Sequence, residues 1–133
     1  MDIPSLLFKL ACSQQPVANA RIAAALVHKN RVVAFGHNRY KSHPLQKRYG
    51  KNEHSIYLHA ELDAIATLCR SISSSVEPSR CILYIVRAKF ANVDRRSYIY
   101  GLARPCIGCM RAIAAFGINR VCYSTDNQTM EVL

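Results

Sequence analysis

Four side chains in two short stretches have the types and spacing to act together: His59 and Glu61 in His59-Ala60-Glu61, and Cys106 and Cys109 in Pro105-Cys106-Ile107-Gly108-Cys109. Zinc takes four tetrahedral ligands, and a catalytic zinc site draws three from the protein and keeps the fourth position for water. One imidazole and two thiolates meet that need. Glu61, two positions beyond the histidine, can then reach the water without becoming a ligand and serve as a proton shuttle. Cys-x-x-Cys alone also suits a redox pair and His-x-Glu alone carries almost no information, so the specificity lies in the combination. A closed structural site would need a fourth protein ligand; His43 and His54 are the residues that could fold back to supply one.

Both stretches stand where helices are expected to begin. Leu58, Leu62, Ile65, Ala66 and Cys69 follow a helical period, as do Met110, Ile113 and Ala114, with Gly117 placed to end the second helix. Helix N-termini favour thiolate over thiol, because unpaired N–H groups and the helix dipole stabilise negative charge. The chain opens with an amphipathic pattern, Ile3, Leu6, Leu7 and Leu10, with Asp2 as N-cap and Pro4 in the first turn. Residues 21–28 and 31–35 are apolar runs separated by Lys29-Asn30, which predicts a β-hairpin. Residues 36–57 are polar and basic and are expected to form a surface connection, residues 71–78 a turn, and residues 81–86 and 121–124 further strands. Residues 127–133 would add an edge strand or fray. Helices falling between the later strands suggest an α/β fold, a three-layer α/β/α sandwich around a mixed sheet.

A chain of 133 residues suits one domain, 1–133, with its own core. No apolar run is long enough to span a membrane and the start lacks a signal-peptide pattern, so a cytoplasmic protein without a membrane partner is expected. In a reducing compartment the six cysteines would not pair; Cys12, Cys69, Cys81 and Cys122 read as small buried hydrophobes. The formal charge of +10 points modestly to an anionic partner, either a phosphate-bearing small molecule or a polynucleotide. The basic, aromatic segment 39–51, with Tyr40, His43 and Tyr49, could track a single strand, although such runs are more often solvated surface.

His-x-Glu followed by Pro-Cys-x-x-Cys is the signature of zinc deaminases, and on these motifs the chain resembles the cytidine deaminase superfamily, in the branch with deoxycytidylate and tRNA adenosine deaminases. Gly36-His37-Asn38 is similar to the Gly-x-Asn after the second strand of that branch. The resemblance implies a cytidine deaminase-like fold, with Zn2+ on His59, Cys106 and Cys109. It also implies hydrolytic deamination with Glu61 moving the protons, and substrate contacts from Asn38 and Ala60. The leading substrate is deoxycytidylate, a small-molecule cytosine nucleotide; the alternative is a base in single-stranded DNA or tRNA, and a non-catalytic zinc-stabilised binding protein is a third reading that the intact Glu61 opposes. Relatives commonly assemble, so a homo-oligomer is expected by analogy. One departure is the 17 residues 88–104, where the deoxycytidylate enzymes have a short link. This segment is expected to form a hairpin or flap at the rim, with Arg95, Arg96, Tyr98, Tyr100 and Arg104 as candidate contacts to a substrate phosphate.

Overall fold

The computed structural model describes residues 2–49, 57–71 and 75–133. The opening helix, α1, spans Ile3–Ser13 with Pro4 in its first turn. Asp2 occupies the cap position, but its carboxylate accepts the Ser5 hydroxyl at 2.7 Å and makes no side-chain bond to a backbone N–H. The buried stripe of α1 is Leu7 and Ala11, while Leu10, expected inside, faces out.

The hairpin forms as predicted. Arg21–His28 is β1 and Arg31–His37 is β2, and Lys29 and Asn30 adopt φ of 51° and 63°, the left-handed pair whose twist matches that of the flanking strands. Residues 23–27 are buried without a break because both faces of β1 are covered. Ala24 and Leu26 belong to one cluster with α3 (Ala60–Arg70), whereas Ala23, Ala25 and Val27 belong to another with α1.

The connection after β2 is less superficial than its polarity suggested. It contains a six-residue helix, α2, at Pro44–Tyr49, started by proline and by His43, whose Nδ1 accepts the Leu45 N–H at 3.1 Å. Leu45 and Tyr49 pack against the core and Gln46 is fully buried. Residues 50–56 of that connection, including His54 and Lys51, and residues 72–74 of the expected turn lie outside the described residues.

After a short 3-10 turn at Pro78–Arg80 come β3 (Ile82–Phe90), β4 (Tyr98–Gly101), α4 (Ile107–Ala115), β5 (Arg120–Ser124) and β6 (Met130–Val132). The strands form one mixed sheet of order β2-β1-β3-β5-β6. Among the pairings, β3 with β5 is parallel and the others are antiparallel; β4 pairs with β3 beyond the point where β5 stops. Helix α1 covers one face, and α3 with α4 covers the other, giving the expected three layers. The terminal residues resolve in favour of the edge strand.

Gly117 sits at φ 73° just past the end of α4, as its position predicts. The buried face of α4 is Cys109, Ala112 and Ile113; Ala114 is exposed and Met110 half-buried, so the sequence reading had part of the face out of phase. Cys81 and Cys122 are buried as expected, but Cys12 is half-buried and Cys69 is exposed at the end of α3.

Candidate metal centre and cavity

Because β3 and β5 run parallel and each is preceded by a helix lying back along the same face, α3 and α4 both begin beside the carboxyl ends of these strands. In open α/β sheets that is the edge where ligands bind. His59 is the cap residue of α3 and Cys106 the cap residue of α4, both with extended backbone. Each is fixed locally. The His59 N–H donates to the buried Gln46 Oε1 at 3.0 Å, and Cys106 Sγ accepts the Cys109 N–H at 3.5 Å.

The three donor atoms converge. His59 Nδ1 lies 3.6 Å from Cys106 Sγ and 3.3 Å from Cys109 Sγ, and all three fall within 4.8 Å of one another. A tetrahedral ion with bonds of ~2.3 Å to sulfur and ~2.0 Å to nitrogen sets nitrogen and sulfur about 3.5 Å apart, so the cluster fits zinc without rearrangement. An imidazole with two thiolates is also the soft, mixed donor set that zinc favours.

Glu61, on the first turn of α3, is buried beside this cluster. Burial pushes its carboxyl above the usual carboxylate range, offset in part by a hydrogen bond from its own N–H and by the charge of His59. The hydrogen bond with Cys106 raises the His59 imidazole. The Cys106 thiol is lowered to about 3, first by the hydrogen bond from the Cys109 side chain; as donor in that pair, Cys109 is pushed up.

A cavity of ≈ 280 Å³ opens against this cluster, with His59, Ala60, Glu61, Cys106 and Asn38 in its wall. That is close to the lower end of the range for small-molecule sites, ~300–1,000 Å³. Both residues expected to contact substrate, Asn38 and Ala60, therefore line it. Asn38 also has structural duties: its Nδ2 donates to Ala20 O at 2.9 Å, and its Oδ1 accepts the Ile22 N–H at 3.1 Å and meets the Gln14 amide.

Of the inserted segment, Arg104 lines the cavity, but Tyr98 and Tyr100 do not reach it. Tyr98 stacks on Phe90 at 4.8 Å and Tyr100 packs edge-on to Phe8 of α1 at 5.2 Å, on the α1 face of the sheet. Arg95 and Arg96 lie in the turn of the β3–β4 hairpin, and Arg95 sits over the Phe90 ring. The expected hairpin is real, with one of its five candidate residues at the site. His43 caps α2 as described above.

Several residues that shape the site escaped the sequence reading. Arg87 and Tyr57 line the cavity, and Gln46 holds the His59 backbone. Asp63, buried on α3, accepts the His37 N–H and Arg39 Nε, each at 3.0 Å, and so ties the helix to the end of β2. A polar residue at an inward position of an otherwise apolar helix was the available signal for Asp63. No spacing marked Gln46.

Residues 2–125 match the family described as the cytidine and deoxycytidylate deaminase zinc-binding region. Among solved structures, the chain is similar to the dCMP deaminase of cyanophage S-TIM5 in apo form, with 18% identity over 92% of this chain and 76% of that one, at a TM-score of 0.57. It is also similar to the same phage enzyme in complex with dCMP and dUMP, with 18% identity over 92% and 75% of the two chains and a TM-score of 0.54. No curated protein matches the chain.

Proposed function

Since the chain belongs to the cytidine and deoxycytidylate deaminase family, we propose that it deaminates a cytosine nucleotide hydrolytically, with deoxycytidylate the foremost substrate. In this reading His59, Cys106 and Cys109 hold zinc and Glu61 moves the protons. The observation that carries it is the convergence of those three donor atoms within 4.8 Å, beside a buried carboxyl, in the wall of a cavity. The phage neighbour that binds dCMP and dUMP supports a nucleotide as ligand.

Bound zinc would supply a Lewis acid that makes water a competent nucleophile near neutral pH. The protein's own groups do the rest. A carboxylate oxygen of Glu61 takes a proton from the attacking water and delivers it to the amino group that leaves as ammonia, so the amidine gains oxygen and loses nitrogen with no net redox change. Burial, by raising the Glu61 carboxyl, favours its holding a proton between those two transfers. Asn38 and Ala60 border the space for the substrate, and the buried Leu58 and Ile85 give its wall an apolar surface for a ring. Residues 1–133 act in this reading as one domain, supported by helices on both faces of one sheet. No helix among the described residues is long and apolar enough to cross a membrane. A cytoplasmic location and a homo-oligomeric assembly complete the proposal, the latter open to light scattering.

A base in a polynucleotide is the second substrate class, favoured by the +10 charge and by the partly exposed Tyr40–Tyr57 pair, 5.1 Å between centroids, with Tyr57 in the cavity wall. Incubating the zinc-loaded protein with dCMP, CMP, cytidine and a short single-stranded oligonucleotide, and measuring ammonia, tests both. We expect dCMP to be turned over fastest; oligonucleotide turnover above that of dCMP would transfer the reading to the second class, and no ammonia from any of them would defeat it. A non-catalytic zinc protein would give that last result.

A further inference from the structure

Two arginines line the same cavity as Glu61 and the cysteine-histidine cluster: Arg87 on the central strand β3 and Arg104 just before α4. Among the described residues Glu61 is the one carboxylate in that wall, and it faces the cluster. Arg87 is built in firmly. Its N–H donates to the Ser124 hydroxyl at 3.0 Å, and that fully buried hydroxyl donates on to Gly101 O at 2.7 Å, locking β3, β4 and β5 at one point. Opposite Arg87 in the β3–β4 ladder stands Gly101, where an added Cβ would lie 3.0 Å from Arg87 Cδ and 3.1 Å from Cγ. The missing side chain makes the groove in which the arginine stem lies.

The Arg87 side chain carries an unmatched donor. Its Nε is buried and has no hydrogen-bond partner among the described residues. A buried unpaired donor on a charged group is costly, and native proteins rarely keep one without a ligand or water to satisfy it. Asp126, whose carboxyl feels the charge of Arg87, is ion-paired with Lys89 at 2.6 Å. Arg104 is steadied from behind: it lies over the Tyr123 ring at 5.9 Å, and its Nη1 donates to the Tyr123 hydroxyl at 3.3 Å, which itself donates to Glu131. That is the one hydrogen bond of its fork among the described residues.

We propose that Arg87 and Arg104 form a phosphate-binding end of the cavity and that they make the protein select a cytosine nucleoside 5′-monophosphate over the nucleoside. Guanidinium forks match phosphate oxygens in pairs, and a terminal phosphate of nearly two negative charges suits two such groups better than an internal diester of one. This inference deepens the deaminase reading and rests on it for the identity of the base, though not for the phosphate site itself.

The test is binding of the product pair, dUMP against deoxyuridine, by isothermal titration calorimetry on the zinc-loaded protein, which requires no turnover. Wild type should prefer dUMP by about a hundredfold, and Arg87→Gln and Arg104→Gln should each lower that preference by tenfold or more. Arg87→Lys should restore part of it, since charge returns without the fork. Zinc content and circular dichroism check that Arg87→Gln folds; if it does not, the exposed Arg104 carries the test alone. Equal affinity of wild type for dUMP and deoxyuridine, an unchanged preference in the folded variants, or tighter binding of an internal cytosine in an oligonucleotide would each overturn the proposal. A protein that prefers dUMP through these arginines yet releases ammonia from no cytosine compound would refute the deaminase reading and leave the phosphate site standing.

Discussion

Replacing Gly36 by alanine should damage the site from a distance, because β2 and α3 touch backbone to backbone there. A Cβ added at Gly36 would lie 2.5 Å from Ala60 O and 2.9 Å from Ala64 Cα, and closer still to the Ala64 nitrogen. These are main-chain atoms of α3, which cannot rotate aside as a side chain would. Ordinary contact begins at 3.4 Å, so the helix must retreat by close to 1 Å at the turn that carries Ala60 and Glu61 and follows His59. Overpacking of this kind costs ~1–3 kcal/mol, and a 1 Å misplacement of reacting groups costs ~10²-fold in rate. Gly36→Ala should therefore show a lower urea midpoint at unchanged slope, weakened zinc retention on dialysis, and kcat/KM for dCMP reduced by about two orders of magnitude. Gly117→Ala is the control: at φ 73° and 3.2 Å from Ser79 Cβ, it should cost ~1 kcal/mol of stability at the far end of α4 with zinc retained. Wild-type stability, zinc content and turnover in Gly36→Ala would refute the idea that this contact positions α3.

Chelation should abolish turnover and lower the melting temperature, with both restored by added zinc; full activity after stoichiometric removal would sink the metal assignment. Glu61→Gln should retain zinc and lose turnover. Stripped of metal, Glu61→Gln should also be more stable than stripped wild type, because burial raises the folded-state pKa of Glu61 and the native state then holds a proton the unfolded chain releases. Wild-type stability is thus lost as pH rises from the unfolded towards the folded pKa, so the gap should be wider at pH 8 than at pH 4, and an inverted trend would refute it. Asp63→Ala removes the buried acceptor of the His37 N–H and should cost ~1–3 kcal/mol in urea unfolding, with little from Arg39, whose side chain is 41% exposed. Ser124→Ala should cost a similar ~1–3 kcal/mol by orphaning the Arg87 N–H, and an unchanged midpoint would show that the β3–β4–β5 junction is not held there.

The cluster was legible because its residues are both rare and locally placed: a histidine and a cysteine at helix starts announce themselves through the apolar periods that follow. The hairpin was legible from Lys29-Asn30, whose left-handed pair suits few residue types. Arg87 was not, because an arginine in Ile-Val-Arg-Ala-Lys-Phe reads as the polar beat of a strand, and only Gly101 across the ladder shows that its stem lies in a groove. Periodicity also misled at the ends of helices, where Ala114 and Cys69 continue the pattern after the packing has ended. Polarity misled over α2, since two side chains, Leu45 and Tyr49, and a buried Gln46 suffice to dock a six-residue helix.

If zinc is held as proposed, the charges of the site suit Glu61 in particular to pass protons. If Cys106, Cys109 and Glu61 were all ionised, three negative charges would stand around one divalent ion, with the neutral imidazole of His59 adding none. Two helix N-termini aimed at the spot offset part of the excess, chiefly at the sulfurs that cap and follow them. In the proposed site Glu61 is buried beside the three ligands without being one of them, so the excess would fall on it, and its proton would be the one that comes and goes at least cost. A phosphate entering the cavity would bring further negative charge and would favour the protonated Glu61 more strongly. In the phosphate site proposed above, Arg87 and Arg104 would counter that, which would let one cavity take a nucleotide and keep a carboxylate able to accept a proton from water.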